Sequence, residues 1–414
     1  MKPEELARAA LGNLPVRMLR VSWLPAAMSA LLLLALLVAG RHESPRWAEP
    51  WKFLGRLTAA QVVTLILSIA IIVVLTHPLQ LAVVRMLEGY LPAWAAPLGR
   101  ALRAGQLRRR TRLEREVLLA DTGLNLAMGA QAVVSATDDQ SANLRILWTG
   151  LSALAHGRIK GRALDALAEA ADALPGYAAQ ARDGGPAEQL DSSVQMVREI
   201  TAGTPGVPGP PADRRELVES TLGWVTEFQS RAGLAARNLR ESFPRTRLLP
   251  TRLGNILASA EQNAGGYYGW DAVVTWPRMY PVLDPRVRDT VDGHRDALDA
   301  AARFAVAAAG TAITGAAILI VQGHWRWLPL VLLPLCVAWV SYRGAVAAAQ
   351  SYSLGLYVAF DLGRLDLIRS LRLEQPADLA AERLLAGDLC AMWREGTEID
   401  LRYSDPDAED PAKE

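Results

Sequence analysis

Apolar residues along this chain gather into four long runs, and between and beyond them the pattern changes to amphipathic helix. Residues 21–40, 61–84, 301–321 and 327–343 each approach the ~20 apolar positions a helix needs to cross a ~30 Å hydrocarbon layer. The second run is broken by Thr76-His77-Pro78, where proline frees a backbone carbonyl and predicts a kink near the inner end. The fourth is short and contains Pro329 and Pro334, but Trp325, Trp327 and Tyr342 at its ends suit interfacial anchoring. Between the second and third runs, apolar residues at three and four spacing predict helices over 107–124, 144–154, 164–174 and 213–240, with no alternating strand run. Asp183-Gly184-Gly185-Pro186 and the glycine- and proline-rich stretch 203–211 interrupt them and predict loops. After the fourth run the helical pattern continues through Tyr352, Tyr357 and Phe360 to Leu373. A second helix follows over 377–393, then an acidic tail over 405–414 that reads as disordered. Thr251 is suited to cap a helix beginning at Arg252, and Gly265-Gly266 to end it.

The expected fold is therefore all-α: an integral membrane protein with two transmembrane helix pairs flanking a helical cytoplasmic domain. Its expected segments are 1–20 (cytoplasmic), 21–85 (first pair), 86–300 (cytoplasmic domain), 301–343 (second pair) and 344–414 (cytoplasmic helices and tail). Composition agrees, since 51% hydrophobic residues beside 21% charged ones is unusual for a soluble protein. Orientation follows from the arginines nearest the runs. Arg85, Arg100, Arg103, Arg108, Arg109, Arg110, Arg112 and Arg115 follow the second, and Lys2, Arg8, Arg17 and Arg20 precede the first, whereas the hairpin at 322–326 carries one Arg. This asymmetry puts both termini and the large insertion in the cytoplasm, outweighing Arg41, Arg46 and Lys52 on the opposite side. A cleaved signal peptide is the competing reading of the first run, because residues 26–40 resemble an apolar h-region; it would leave three spans.

A net charge of +1 argues against nucleic acid as a partner. Cys336 and Cys390 cannot form a disulfide framework, and the five histidines stand singly, so neither a metal nor a cofactor is expected. The densest group of distinctive residues lies between Pro250 and Pro285. Arg252, Asn255 and Ser259 share one helix face, and Tyr267, Tyr268, Trp270, Trp276 and Tyr280 follow, mixed with Asp271 and Arg278. Arg252, Asn255, Glu261, Tyr268, Asp271, Trp276 and Arg278 are the ligand or interaction candidates. The aromatics suit a surface that is apolar on one side and wet on the other, against the membrane or the inner ends of the spans. The blander reading is that they only cement the domain there. Asp289, Asp292, Asp296 and Asp299 make an acidic helical stripe, either a cation site or an ion-pairing, solvated face. Ala307, Thr311 and Gly315 form a small-residue stripe for close helix packing, within or between subunits.

No phosphate-loop, dinucleotide, nucleophile-elbow or zinc-protease motif is present, and His77 is the one candidate for an intramembrane proton path. The runs Thr76-His77-Pro78-Leu79-Gln80, Glu88-Gly89-Tyr90, Arg252-Leu253-Gly254-Asn255, Tyr268-Gly269-Trp270-Asp271 and Trp276-Pro277-Arg278 resemble uncharacterised four-span membrane proteins of actinobacteria. That resemblance covers both span pairs and residues 250–285. It implies topology and a bacterial inner-membrane location, and transfers no catalytic residue. The leading expectation is a non-enzymatic membrane protein whose cytoplasmic helices bind or sense, with the lipid bilayer, a homo-oligomer and a cytoplasmic protein as expected partners. The second is an oligomeric channel with a cytoplasmic vestibule, a span arrangement that also occurs in bestrophin-type channels. The third is a membrane-surface enzyme using Arg252, Asn255, Glu261, Tyr268 and Asp271.

Overall fold

The computed structural model describes residues 24–39, 79–136, 141–174 and 188–403, with isolated positions between 55 and 71. The N-terminal basic segment, the Thr76-His77-Pro78 break, the break at 183–186 and the acidic tail lie outside the described residues. The protein is all-helical. In chain order the helices are α1 (Leu24–Ala39), α2 (Leu79–Glu88), α3 (Ala96–Ala136), α4 (Ser141–Ala155), α5 (Arg162–Asp172) and α6 (Glu188–Ala202). They continue with α7 (Arg214–Ser242), α8 (Arg252–Asn263), α9 (Ala272–Met279), α10 (Pro285–Val321), α11 (Leu332–Ser370) and α12 (Leu379–Glu395).

Residues 107–240 form one compact unit and the rest of the described chain another. In the 107–240 unit, the apolar stripes of α3 to α7 close on one another around Leu126, Leu147, Leu151, Leu167, Leu190, Val197 and Phe228, all at most 0% exposed. Trp148 and Trp224 meet with ring centroids 5.1 Å apart, and the Trp148 Nε1–H donates to Ser220 Oγ at 2.8 Å, which satisfies its one polar group in the core. The glycine- and proline-rich stretch is a loop between α6 and α7, pinned where Arg145 donates to the Ala212 carbonyl at 3.0 Å.

The second unit is built on the hairpin of α10 and α11, joined through a 3-10 segment, Trp325–Val331, that takes up Pro329. With 37 and 39 residues these helices run about 55 and 58 Å, nearly twice a hydrocarbon layer. Their two halves differ in what covers them. Around the turn, Ile313, Ile320, Val321, Leu332, Leu333, Trp339 and Val340 are exposed, with Ile313 at 72% and Val321 at 85%, and no charged residue lies between 304 and 322 or between 327 and 342. Apolar surface on that scale, without charge to relieve it, is rare on a protein surface that faces water. The first helix α1 packs along α10, and Leu36 reaches Gly315, with a Cβ there only 3.2 Å from its methyl. Thr311 and Gly315 are buried, Ala307 is half-buried, and the Thr311 hydroxyl donates to the Ala307 carbonyl at 2.7 Å.

Among the described residues three helical stretches are long and apolar enough to cross a membrane: Arg85–Ser135, Pro285–Val321 and Trp325–Ser370. The last two contain the third and fourth apolar runs. The first was expected only as an amphipathic helix, and its apolar side chains, Leu126, Ala127, Ala130 and Val133 among them, are spent on the core of the 107–240 unit.

Toward the other ends of α10 and α11 the hairpin gathers α2, α8, α9 and α12. Leu253 and Ile256 of α8 pack with Leu298 and Ala302 of α10 and Ala345, Val346 and Ala349 of α11, beside Leu87 of α2. A second core joins α9 and α12 to the hairpin through Trp270, Met279, Val291, Phe360, Leu367 and Leu389.

Candidate functional site

The recess of this second unit is a cavity of about 650 Å³ enclosed by Tyr90, the 246–249 loop, α8, the 266–273 turn and α12. Each wall has a local cause. The Thr251 hydroxyl caps α8 by accepting from Gly254 N at 3.1 Å, as its sequence position predicts. Asn255, wholly buried one turn further on, clamps the loop: its Oδ1 accepts from Leu249 N at 2.7 Å and its Nδ2 donates to the Leu249 carbonyl at 3.0 Å. Gln262 holds the same loop by accepting from Arg245 N at 2.7 Å. Gly265, at φ +73°, then turns the chain with no room for a side chain, since a Cβ would lie 2.5 Å from the Phe360 ring. Asp271 caps α9 by accepting from Val273 N at 2.8 Å and pairs with Arg394 of α12.

Charge in the cavity is mixed, with Arg247, Glu261, Asp271, Arg394 and Glu395 on its walls. Glu261 stands exposed on the cavity wall, and partial desolvation by the surrounding protein pushes its carboxyl above the ordinary value. Cys390 forms part of the floor, where its sulfur accepts from Asp271 N at 3.3 Å and lies 3.6 Å from Thr275 Oγ1. Burial raises the thiol pKa against the smaller opposing effects of Thr275 and Arg278, so the thiol is protonated at neutral pH and a poor nucleophile. Among the described residues no histidine lines the cavity. Among the described residues no group of three or more His, Cys, Asp or Glu is gathered so as to hold a metal. The arrangement can bind through polar and charged contacts.

Of the seven ligand or interaction candidates, Glu261 and Asp271 line the cavity. Asn255 is turned into the loop clamp. Tyr268 lies beneath Arg364, whose guanidinium is 3.8 Å from the ring centroid. Burial, and then a hydrogen bond to Asp361, raise its phenol pKa. Arg364 in turn pairs with Glu382 at 2.9 Å, a carboxylate 5% exposed that also accepts from Trp270 Nε1 at 3.3 Å. Trp276 packs on Tyr280 and Phe360, and Arg278 stacks over Trp393 at 4.6 Å. Arg252 stands apart. Its Nε is buried without a hydrogen bond, and burial together with nearby Arg343 lowers its pKa.

Most of the aromatic stretch packs within the second unit, against the continuation of α11 and against α12. Trp270, 2% exposed, stacks on Trp393 at 6.2 Å within the second core, and Tyr267 alone of the five is exposed, at 66%. Along the acidic stripe Asp289 is exposed, Asp292 accepts from the Tyr280 hydroxyl at 2.8 Å, and Asp296 and Asp299 have partners of their own. Arg247, Cys390 and Arg394 carried no signal in the sequence, because the helix bearing two of them joins the site more than a hundred residues after Asp271. No family model matches the chain, and no curated protein or solved structure shows significant similarity to it.

Proposed function

We propose that this chain is a multi-pass protein of a bacterial inner membrane, with four spans and both termini in the cytoplasm, that carries helical binding modules on the cytoplasmic side and is not an enzyme. The observation that carries this reading is the contrast along the α10–α11 hairpin. Its outer half exposes apolar side chains and no charge but Arg326, whereas the polar recess is built against its other half, from α8, α9 and α12. A cavity of that size receives a small polar ligand or a few side chains of a partner segment. Its mixed charges favour an occupant that carries both signs. The protonated thiol of Cys390 and the lack of a histidine in its walls support binding over catalysis.

Two measurements test the reading together. Reporter fusions near Thr201 and at the carboxyl end should both read as cytosolic. A photo-crosslinking residue at Val273 or Ala391, on the cavity wall, should give a discrete adduct in cells that is abolished by Ala258→Trp. Ion flux through liposomes containing only the purified protein would instead select the channel.

A further inference from the structure

The stretch between α2 and the 107–240 unit has a face that nothing in the described chain covers. Trp94 is 80% exposed in the 3-10 turn Ala93–Ala95 that leads into α3, and Leu98 at 55% and Leu102 at 40%, one turn apart, share one side of the start of α3. Arg100 falls on the opposite side and Arg103 on the flank. From Gly89 to Leu113 the chain carries six arginines and no acidic residue. Arg100 and Arg103 form no ion pair among the described residues, and Tyr90, exposed at 56%, leads into the segment. An apolar side backed on the polar side of the helix by Arg100 and Arg103 is the pattern of a helix lying in the headgroup region of an anionic bilayer, where long arginine side chains reach the phosphates. A tryptophan at its leading end suits that depth.

We infer that residues 93–106 form an interfacial helix that docks Trp94, Leu98 and Leu102 into a leaflet containing anionic phospholipid, with Arg100 and Arg103 held by headgroup phosphates. This rests on the membrane reading above and extends it: Leu87 of α2, just before the segment, packs with Leu298, Ala302 and Ala345 beside the charge-free stretches of the hairpin, so on that reading the segment starts near the bilayer surface. A partner protein is a poorer occupant, since the face is a single stripe about two turns long.

The test is tryptic cleavage after Arg100 and Arg103 in the full-length protein, reconstituted into nanodiscs of phosphatidylcholine alone or with phosphatidylglycerol. Cleavage should be at least about tenfold slower with the anionic lipid, and Leu98→Glu together with Leu102→Glu should abolish the difference. Both residues are exposed, so the variants should fold; an unchanged melting curve verifies that. Equal cleavage in the two bilayers overturns the inference. So does protection in neutral lipid that grows with protein density, which would assign the face to a second copy. Failure to enter nanodiscs at all would overturn the membrane reading itself, a result distinct from equal cleavage.

Discussion

Replacing Gly254 with alanine should loosen the junction on which the cavity depends. Gly254 is the third residue of α8, where α8 crosses the end of α2. A Cβ there would fall 1.9 Å from the Glu88 carbonyl oxygen, 2.8 Å from its carbon and 3.0 Å from its Cα. Ordinary C···O approach is about 3.3 Å, so the two backbones must part by roughly 1.4 Å, and no side-chain rotation can relieve them. Two effects oppose each other. Alanine gains at most about 1 kcal/mol in helix propensity over glycine, while overpacking costs about 1–3 kcal/mol and more when the obstacle is backbone. With α8 also fixed on its far side by Leu253 and Ile256, the backbone obstacle puts the cost at about 3–4 kcal/mol and the net at a loss of about 2–3 kcal/mol. Gly293, in the third turn of α10 with nothing within 4 Å of its Cβ position, is the internal control, and Gly293→Ala should gain about 0.5–1 kcal/mol. At roughly 2–4 °C per kcal/mol, tryptophan-fluorescence melting of the full-length protein in nanodiscs should put G254A roughly 5–10 °C below the natural protein and G293A slightly above it. A G254A protein that melts at or above the natural one, beside a G293A that behaves as stated, would refute the close approach of α2 and α8.

Three other outcomes follow from single contacts. Arg364→Leu leaves Glu382 buried without a counter-charge and should cost about 3–5 kcal/mol, most of it restored in the double variant with Glu382→Leu; a melting loss in R364L of under about 1 kcal/mol would contradict the pairing. For Glu261, burial raises the folded-state pKa above 4.5, so its contribution is fully present below the unfolded value and is lost as pH rises through the folded one. Glu261→Gln should therefore match the natural protein near pH 4 and melt higher at neutral pH, and a difference that does not change with pH would count against the assignment. Phe228→Ala should cost about 3–5 kcal/mol, with hydrogen exchange rising within residues 107–240 and unchanged around Trp270 and Trp393; a uniform rise would deny the two units separate cores.

Local physics was legible in the sequence where neighbours in the chain decide the structure. Helical spacing marks α4, α5 and α7 to within a few residues, and Thr251 caps α8 because a hydroxyl three residues before an amide needs nothing distant to reach it. Where the deciding neighbour is far along the chain, the same rules misdirect. Arg252 and Asn255 share a helix face by spacing, yet Asn255 turns inward because the returning loop at Leu249 offers it a donor and an acceptor, and the buried Arg252 Nε finds no acceptor. Trp270 and Trp276 have the composition of an interfacial belt, but Trp393 and Phe360 arrive from remote helices and enclose them. The same reasoning governs the spans. Residues of α3 such as Leu126 and Ala130 reach 0% exposure while Ile313 of α10 keeps 72%, although both helices are apolar enough to cross a bilayer. Hydropathy records only that a side chain leaves water. Whether protein takes the place of that water depends on which other helices can reach it, and for the turn end of the α10–α11 hairpin the described chain supplies α1, whose contact leaves most of the apolar surface uncovered.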